Sequence, residues 1–337
     1  MKKNRSIVVA AVPALCAALA AGSAVSSSAL AASLECIVPS KPGGAMDVTC
    51  KLARKGLQQL DAGGHGVQPA PSGMSIRYLP GGIGAVAWNS LVAQPRAKPN
   101  TLVAFSGGSL LYLAEGKLGK AKVGDVRWVA ALGTDYGMVA VPASSPYKNL
   151  GDLLAALKRH PEKVLFGFSG TAGSQDWFKM ALLARSAGID PKVLRFVALE
   201  GGGEAFTAMQ ANYVQAVSGD ASEAVLYAAE ANTRVLAVLA PQRLPGVLSK
   251  VPTAREQGVD VVWPVIRGVW MGPQVPEAEY RRWVGAFDRM LATPQFAQLR
   301  AEAGLYPFAL TGDALKAYVS KAVDEYGKRA AEFGLVR

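Results

Sequence analysis

Short apolar runs alternate with amphipathic segments along most of this 337-residue chain. The apolar runs predict β-strands at 34–39, 75–79, 101–106, 138–142, 163–169, 193–199 and 234–240. Apolar residues recur with a helical period over 48–60 and 150–159, and long helices are predicted at 276–292 and 313–333. Strands that alternate with helices predict an α/β fold built from βαβ units, with mostly parallel sheets.

The N-terminal 31 residues have the pattern of a secretory signal peptide. Basic residues precede an apolar stretch from Ile7 to Ala21, and Ala29-Leu30-Ala31 is a small-x-small cleavage sequence. The alternative is a membrane anchor, but the apolar stretch is short for a span of roughly 20 residues. We therefore expect an exported protein whose signal peptide is cleaved near Ala31.

The net charge of +11 is carried by basic residues that are dispersed along the chain. Because no basic run is interleaved with aromatic residues, nucleic-acid binding is disfavoured. A dispersed positive field instead favours small anionic ligands through electrostatic steering. Only two histidines, His65 and His160, are present, and neither lies near other metal-ligand side chains, so no metal site is predicted.

Cys36 and Cys50 are the two cysteines that remain after the signal segment. An isolated pair in an oxidising compartment usually forms a disulfide, and the alternative is two free thiols. A disulfide here would close the turn between the first strand and the first helix, and would contribute ~3 kcal/mol in the chain-entropy model.

Two stretches punctuated by Gly and Pro, 133–149 and 258–273, are suited to link two domains. We expect the chain to cross between lobes near residues 135 and 260. Residues 32–135 and 260–337 would then form the first lobe, and residues 136–259 the second. Two crossing strands make a hinge, which is the geometry of a clamp that closes on a ligand.

Turns rich in Gly, Ser or Thr follow five strands, at 39–47, 106–109, 169–176, 200–205 and 218–222. In open α/β sheets, ligands bind outside the carboxyl ends of the strands. Glycine allows close approach of the backbone, helix N-termini favour anions, and hydroxyl groups add hydrogen-bond donors. Each turn taken alone is more simply a turn or a helix cap than a binding loop. The five together predict a ligand cleft.

Patterns for nucleotide binding and catalysis are incomplete. The turn 39–47 lacks the Gly-Lys-Ser/Thr ending of a P-loop, and "GIGAVA" at 82–87 lacks the acidic residue expected about 20 positions further on. "GFSGT" at 167–171 lacks the closing glycine of a nucleophile elbow. Asp47 could pair with Glu200 as acid and base, but it is more simply the N-cap of its own helix.

Several segments, in this order, resemble the Bug/TctC-type solute-binding receptors of tripartite tricarboxylate transporters. They are "ECIVPSKPGGAMDVTCKLA", "RYLPGGIGAVAWN", "VAFSGGSLL", "LGTDYGMVAVP", "FGFSGTAGSQD", "EGGGEA", "QAVSGDASEA" and "VPTAREQGVDV". The resemblance runs from about Leu34 to the C-terminus. It implies a two-lobed periplasmic binding protein of type II-like architecture, with two crossing hinge strands and a ligand cleft between the lobes.

The resemblance also implies a function. Such a receptor captures a small di- or tricarboxylate, or an aromatic carboxylate, in the periplasm and delivers it to membrane permease subunits. It works as a monomer, without a cofactor, nucleic acid or catalysis. Two alternatives remain open: a secreted hydrolase that uses Ser169 or Asp47, and a ligand-binding sensor for a signalling partner.

Carried over by position, the loop Pro39–Asp47 would hold one carboxylate end and the loop Ser169–Ser174 would hold it from the opposite side. Arg267, at the return crossing, is the nearest candidate for an ion pair with the ligand. Ala45 and Met46 stand where the family often has a third glycine or an aromatic residue, which changes the shape of the pocket. The predicted ligand-binding residues are Pro39, Ser40, Lys41, Gly43, Gly44, Ala45, Met46, Asp47, Ser106, Gly107, Ser109, Asp135, Tyr136, Ser169, Gly170, Thr171, Ala172, Gly173, Ser174, Gly202, Ser218, Asp220 and Arg267.

Overall fold

The structure is a computed structural model that describes residues 34–66, 73–227 and 232–336. The predicted signal peptide and its cleavage site lie outside these residues. The strands are β1 (Glu35–Val38), β2 (Ser75–Tyr78), β3 (Thr101–Ser106), β4 (Arg127–Pro142), β5 (Leu165–Ser169), β6 (Arg195–Leu199), β7 (Ala216–Asp220), β8 (Thr233–Leu239), β9 (Pro264–Met271) and β10 (Leu310–Thr311). The α-helices are α1 (Ala45–Leu60), α2 (Ala85–Val92), α3 (Gly107–Ala114), α4 (Leu150–Arg159), α5 (Gln175–Ser186), α6 (Gly202–Gln210), α7 (Ala221–Tyr227), α8 (Glu277–Leu291), α9 (Pro294–Glu302) and α10 (Gly312–Glu332). Among these described helices, none has the length and apolarity needed to cross a membrane.

The strands form a mixed sheet in the order β2-β1-β3-β9-β4-β7-β5-β6, with β8 and β10 both paired to β4. The outer strands pair in parallel, as βαβ units predict: β1 with β2 and β3, and β5 with β6 and β7. The central strands β4 and β9 run antiparallel to their neighbours. The expectation of mostly parallel sheets is therefore wrong at the centre, where the chain crosses from one half of the sheet to the other.

Strand β4 joins the two halves of the fold. From Arg127 to Tyr136 it pairs with β9, and from Gly137 to Pro142 it pairs with β7 and β8. The return path runs beside it, because the Trp263 N–H donates to the Leu239 carbonyl and the Trp263 carbonyl accepts from the Gly137 N–H. We call the half that contains β1–β3, β9 and β10 the first lobe, and the half that contains β5–β8 the second lobe.

Each lobe buries apolar side chains on both faces of its part of the sheet. In the first lobe, α1, α8 and α9 cover one face and α2, α3 and α10 cover the other, where Trp88 packs against Trp128 and Trp270. In the second lobe, α4 and α5 cover one face and α6 and α7 the other. Sheets covered on both faces are typical of α/β folds, and this one matches the predicted fold class.

The C-terminal helix α10 contacts both lobes. Leu315 and Val319, in its first half, pack into the first lobe. Near its end, the ring of Phe333 lies 5.6 Å from Trp177 and 5.2 Å from Phe178, both on α5 of the second lobe. The second lobe is thus held to the first by α10 as well as by the two crossing strands.

A disulfide joins Cys36 on β1 to Cys50 on α1, as predicted. It closes the turn that contains Gly43, whose φ of +84° favours glycine. Because the chain turns so sharply there, α1 begins at Ala45 with Gly44 as its N-cap, and the prediction that Asp47 is the N-cap is wrong. Asp47 lies in the first turn, where its Oδ2 accepts from the Gly43 N–H at 2.9 Å and from Lys51 Nζ at 2.8 Å.

Candidate functional site

A cavity of about 70 Å³ lies between the lobes at the carboxyl ends of five strands, β1, β3, β5, β6 and β7. One water molecule needs about 10–15 Å³ by this measure, so the cavity has room for roughly five. Each of the five predicted turns supplies part of the wall, and a helix begins within each of these ranges. The lining residues are Pro39, Ser40, Gly44, Ala45, Met46, Ser106, Gly108, Ser109, Tyr112, Ser169, Gln175, Asp176, Leu199, Glu200, Gly201, Gly202, Asp220, Glu223 and Arg267.

The wall includes many residues singled out from the sequence and several that were not. Predicted residues on the wall are Pro39, Ser40, Gly44, Ala45, Met46, Ser106, Ser109, Ser169, Gly202, Asp220 and Arg267. Lining residues outside the predicted set are Gly108, Tyr112, Gln175, Asp176, Leu199, Glu200, Gly201 and Glu223. Most of these belong to the same turns. Tyr112 lies one helical turn beyond Ser109, and Glu223 follows directly after the turn 218–222, so helix periodicity was the available signal.

The other predicted residues do not line the cavity: Lys41, Gly43, Asp47, Gly107, Asp135, Tyr136, Gly170, Thr171, Ala172, Gly173, Ser174 and Ser218. Ser174 is the N-cap of α5. Thr171 and Ala172 are exposed, and the Ala172 carbonyl accepts from Lys117 Nζ of the first lobe at 2.6 Å. The loop after β5 thus contributes Ser169 to the cavity and uses its middle residues to contact the other lobe.

Direct hydrogen bonds join the lobes around the cavity. Glu200 accepts from the Lys41 N–H through its carbonyl and from the Gly81 N–H through Oε2, both at 3.2 Å. The Tyr227 hydroxyl donates to the Gly43 carbonyl at 3.2 Å, and Lys41 Nζ lies 2.8 Å from Glu204 Oε1. The structure therefore has its lobes closed on one another.

Six buried charged side chains lie together at the base of the cavity: Asp135, Asp176, Lys179, Asp220, Glu223 and Arg267. We call them the buried charge cluster. Lys179 Nζ donates to Asp176 Oδ1 at 2.8 Å, and to the Gly219 carbonyl and Asp220 Oδ1 at 2.7 Å each, so all three of its protons are used. Arg267 Nη2 donates to Asp135 Oδ2 at 3.0 Å and also to Asp220 Oδ2.

Burial and mutual repulsion determine the protonation of this cluster. Burial raises the pKa of Asp135 and of Asp176, and the neighbouring cations only partly offset it. Burial acts on Asp220 as well, but Lys179 and Arg267 outweigh it and hold its pKa below the usual value. Burial, together with the charges of Asp220 and Asp176, raises the pKa of Glu223 to about 8. Glu223 is then mainly neutral at pH 7, and three aspartates face two cations.

The carboxyl group of Glu223 sits at the start of α1, in the position predicted for a ligand carboxylate. Its Oε1 accepts from the Ala45 N–H and its Oε2 from the Asp220 N–H, both at 3.0 Å. Three glycines leave room for it. A Cβ at Gly202 would overlap the carboxyl group, one at Gly219 would lie 2.8 Å from Oε2, and one at Gly44 would lie 3.4 Å from Oε1.

Two cavity-lining residues, Arg267 and Gln175, each have a buried polar atom with no hydrogen-bond partner among the described residues. The atoms are Arg267 Nε, which is a donor, and Gln175 Oε1, which is an acceptor. Gln175 Nε2 donates to Asp220 Oδ2 at 3.0 Å, and this bond orients the amide with its oxygen as the free acceptor. Ser218, which is fully buried, also has an unpaired hydroxyl oxygen.

The sequence matches the family model described as "Tripartite tricarboxylate transporter family receptor" over residues 83–335, about three quarters of the chain. The chain belongs to this receptor family. The resemblance found in the sequence is thereby confirmed, and with it the role of a periplasmic solute-binding protein. A search of curated proteins found no match.

Solved structures of similar proteins share the two-lobed fold of this receptor. MatC from Rhodopseudomonas palustris with bound malate is 20% identical, with a TM-score of 0.73 over 88% of this chain and 98% of that chain. Rpa4515 of the same organism with adipate is 20% identical, with a TM-score of 0.76 over 90% of this chain and 97% of that chain. The periplasmic binding protein BugD is 17% identical, with a TM-score of 0.74 over 90% of this chain and 98% of that chain.

The hydrolase alternative gains no support from the receptor's geometry. Ser169 lines the cavity, and its N–H donates to Asp176 Oδ2 at 2.8 Å. A serine hydrolase needs a base beside its serine. His160, however, is exposed at the C-cap of α4, lies 3.3 Å from Glu162 and does not line the cavity. A position at the helix end suits a histidine through the helix dipole and explains it without catalysis.

Proposed function

We propose that this receptor captures a small carboxylate in the cavity between its lobes and delivers it to the membrane permease of a tripartite tricarboxylate transporter. It acts as a monomer and carries out no chemistry. The observation that supports the site most directly is the convergence of five strand-end turns on one cavity, with Arg267 on its wall. The malate of MatC and the adipate of Rpa4515 favour a carboxylate ligand.

Within this proposal, the predicted lobe boundaries near 135 and 260 serve as the hinge. Support comes from β4, whose partner changes from β9 to β7 and β8 between Tyr136 and Gly137. On the return path, Trp263 still bonds to Leu239 of the second lobe, and Pro264 pairs with Tyr136. On both crossing segments, the pairing within the first lobe gives way to pairing within the second lobe over a few residues. Rotation of the lobes therefore needs backbone changes at only those residues.

Ligand affinity requires more than helix dipoles. One helix N-terminus contributes at most ~2 kcal/mol, whereas micromolar binding needs ~8 kcal/mol. The remainder comes from several hydrogen bonds made in a desolvated cavity, with Ser106, Ser109 and Ser169 as hydroxyl donors on the wall. Because these residues lie on both lobes, binding and lobe closure are coupled.

A thermal-shift screen against small carboxylates tests this function. A ligand at 100 times its dissociation constant stabilises the folded protein by ~2.7 kcal/mol, so a true ligand raises the melting temperature by several degrees. Ser169→Ala should weaken binding severalfold. The matched control is Ser186→Ala at the end of α5 in the same lobe. Its hydroxyl donates to the Leu183 carbonyl, and Ser186 does not line the cavity. If no small anion shifts the melting temperature, the proposal is wrong. Hydrolytic turnover that is present in the native protein and lost in Ser169→Ala would instead support the hydrolase alternative.

A further inference from the structure

The charge balance of the cavity is unusual for a site that holds a dianion. Four lining residues are acidic, namely Asp176, Glu200, Asp220 and Glu223, and Arg267 is the cation that lines the wall. Lys179 lies behind the wall and is fully buried. Since the buried charge cluster already contains more carboxyl groups than cations, a ligand with two carboxylates adds like charge to a desolvated site.

Of the two cations at the base of the cavity, only Arg267 has an N–H left to pair with a ligand carboxylate. All three protons of Lys179 are engaged by the protein. Arg267 is 1% exposed and its Nη2 is shared by two aspartates, but its Nε has no partner among the described residues. A buried guanidinium N–H without a partner is costly, and one ligand carboxylate would satisfy it.

Gln175 and Glu223, by contrast, need a hydrogen-bond donor or a positive charge from the ligand. Gln175 Oε1 needs a donor, because the bond from Nε2 to Asp220 leaves the oxygen as the free acceptor. Glu223 lines the same cavity with both oxygens directed at backbone N–H groups and with no cation bonded to it. An N–H group on the ligand would supply the donor, and a positive charge there would neutralise the surplus of carboxyl groups.

We propose that the ligand carries an ammonium group in addition to its carboxylate, and that Glu223 and Gln175 select it over unsubstituted dicarboxylates. This inference rests on the proposed function and names the ligand class for the same site. The carboxylate faces Arg267, and the ammonium faces Gln175 Oε1 and the carboxyl group of Glu223. Glu223 and Gln175 are then specificity-determining residues.

The protonation of Glu223 gives the proposal a second, independent readout. Burial and the charges of Asp220 and Asp176 raise the pKa of Glu223 to about 8, so at pH 7 it holds a proton. A ligand ammonium beside it favours the ionised form and lowers this pKa. The proton of Glu223 passes to the buffer, and the ammonium takes over its role of neutralising the site. Binding therefore releases a proton at pH 7.

Calorimetric titration with matched compounds tests the selection. The pairs are aspartate with succinate, and 4-aminobutyrate with glutarate, so that one member of each pair carries an ammonium group. The ammonium-bearing member of at least one pair should bind ten times more tightly or better. Repeating the titration in two buffers of different ionisation enthalpy should reveal the released proton.

Two variants separate selection from folding. Glu223→Gln keeps the size of the side chain and one of its two acceptor oxygens, so it should fold, lose most of the tenfold preference and release no proton. Gln175→Met removes the free acceptor and should lower the preference as well. Glu204→Gln is the control, because Glu204 pairs with Lys41 at the lobe boundary and does not line the cavity; its preference should match that of the unaltered protein.

The outcomes of these titrations distinguish a failure of this inference from a failure of the proposed function on which it rests. Dicarboxylates that bind as tightly as the ammonium-bearing compounds, with a ratio unchanged in Glu223→Gln, overturn the inference and leave a carboxylate receptor. A preference that survives in both variants also overturns the roles of Glu223 and Gln175. If no carboxylate of any kind binds, the proposed function fails and the inference fails with it.

Discussion

The backbone N–H of Ala45 in the first lobe donates a 3.0 Å hydrogen bond to Glu223 Oε1 in the second lobe. The second carboxyl oxygen accepts from the Asp220 N–H of its own lobe. A single acidic side chain therefore fastens the start of α1 to the start of α7 when the lobes are closed. Because this carboxyl group is fully buried beside other acids, the strength of the contact depends on its protonation.

Stability should decline with rising pH through Glu223. Burial and the charges of Asp220 and Asp176, opposed in part by Arg267, raise its pKa from 4.5 to about 8. The folded state holds this proton more tightly than the unfolded chain does, so the stabilisation is complete below pH 4.5 and is lost as the pH rises through about 8. Each unit of pKa difference corresponds to about 1.4 kcal/mol.

Chemical denaturation at a series of pH values measures this effect. The free energy of unfolding of the native protein, relative to that of Glu223→Gln, should fall by several kcal/mol between pH 4.5 and 9. Glutamine does not titrate, so the difference isolates Glu223 from Asp135 and Asp176, whose pKa values burial also raises. Parallel curves for the two proteins would show that Glu223 is already ionised at neutral pH.

Replacing Lys179 by methionine should destabilise the second lobe strongly. The ammonium group neutralises Asp176 and Asp220, and none of the three side chains is appreciably exposed. Removing one partner of a buried ion pair typically costs 3–5 kcal/mol, since the remaining charge is left unpaired. The loss is measured by urea unfolding. Lys41→Met is the comparison, because its pair with Glu204 is half-exposed and should matter little.

Hydrophobic periodicity and spacing predict the regular parts of this fold well. The apolar stripe over 150–159 corresponds to α4 (Leu150–Arg159), where the side chain of the N-cap residue Asn149 accepts from the Asp152 N–H. Helix α9 was not predicted because it is short and only Phe296 is buried along it. The first half of β4 was also missed. Gly133 and Asp135 interrupt its apolar pattern, yet the sheet buries this part of the strand almost completely.

The charged base of the cavity is beyond prediction from local patterns. Arg267 is predicted to meet the ligand directly, and its Nη2 is in addition shared by Asp135 and Asp220, which are 132 and 47 residues away in the chain. Glu223 lies one residue beyond a recognised turn, and only the three-dimensional approach of Gly44 and Gly202 shows that space is kept for its carboxyl group. Such pairings form because β4 and β9 cross between the lobes, and no short sequence motif indicates this crossing.

Reduction of the disulfide between Cys36 and Cys50 should lower the free energy of unfolding by ~3 kcal/mol, through the larger conformational entropy of the unfolded chain. Both sulfurs lie in the buried core of the first lobe. The change is measured by denaturant unfolding with and without a thiol reductant. The double variant Cys36→Ala/Cys50→Ala serves as the control, since reductant should then have no effect. An unchanged midpoint for the native protein after verified reduction would contradict this account.

Phe333→Ala should loosen closure of the lobes while leaving each lobe folded. The ring lies against Trp177 and Phe178 of the second lobe, and Arg185 stacks on it at 3.7 Å. Aromatic pairs contribute about 0.5–1.5 kcal/mol each beyond the burial of their surface. Because α10 begins in the first lobe, this contact favours the closed state, and its loss should raise the radius of gyration and weaken ligand binding several-fold.

Small-angle scattering and calorimetry check the Phe333 prediction together. Tyr318→Ala is the matched control: Tyr318 lies on the same helix, but its ring makes an edge-on contact with Phe308, within the first lobe. Its removal should leave the scattering profile unchanged. If Phe333→Ala and Tyr318→Ala behave alike, α10 has no part in closure, and the crossing strands β4 and β9 alone connect the movement of the two lobes.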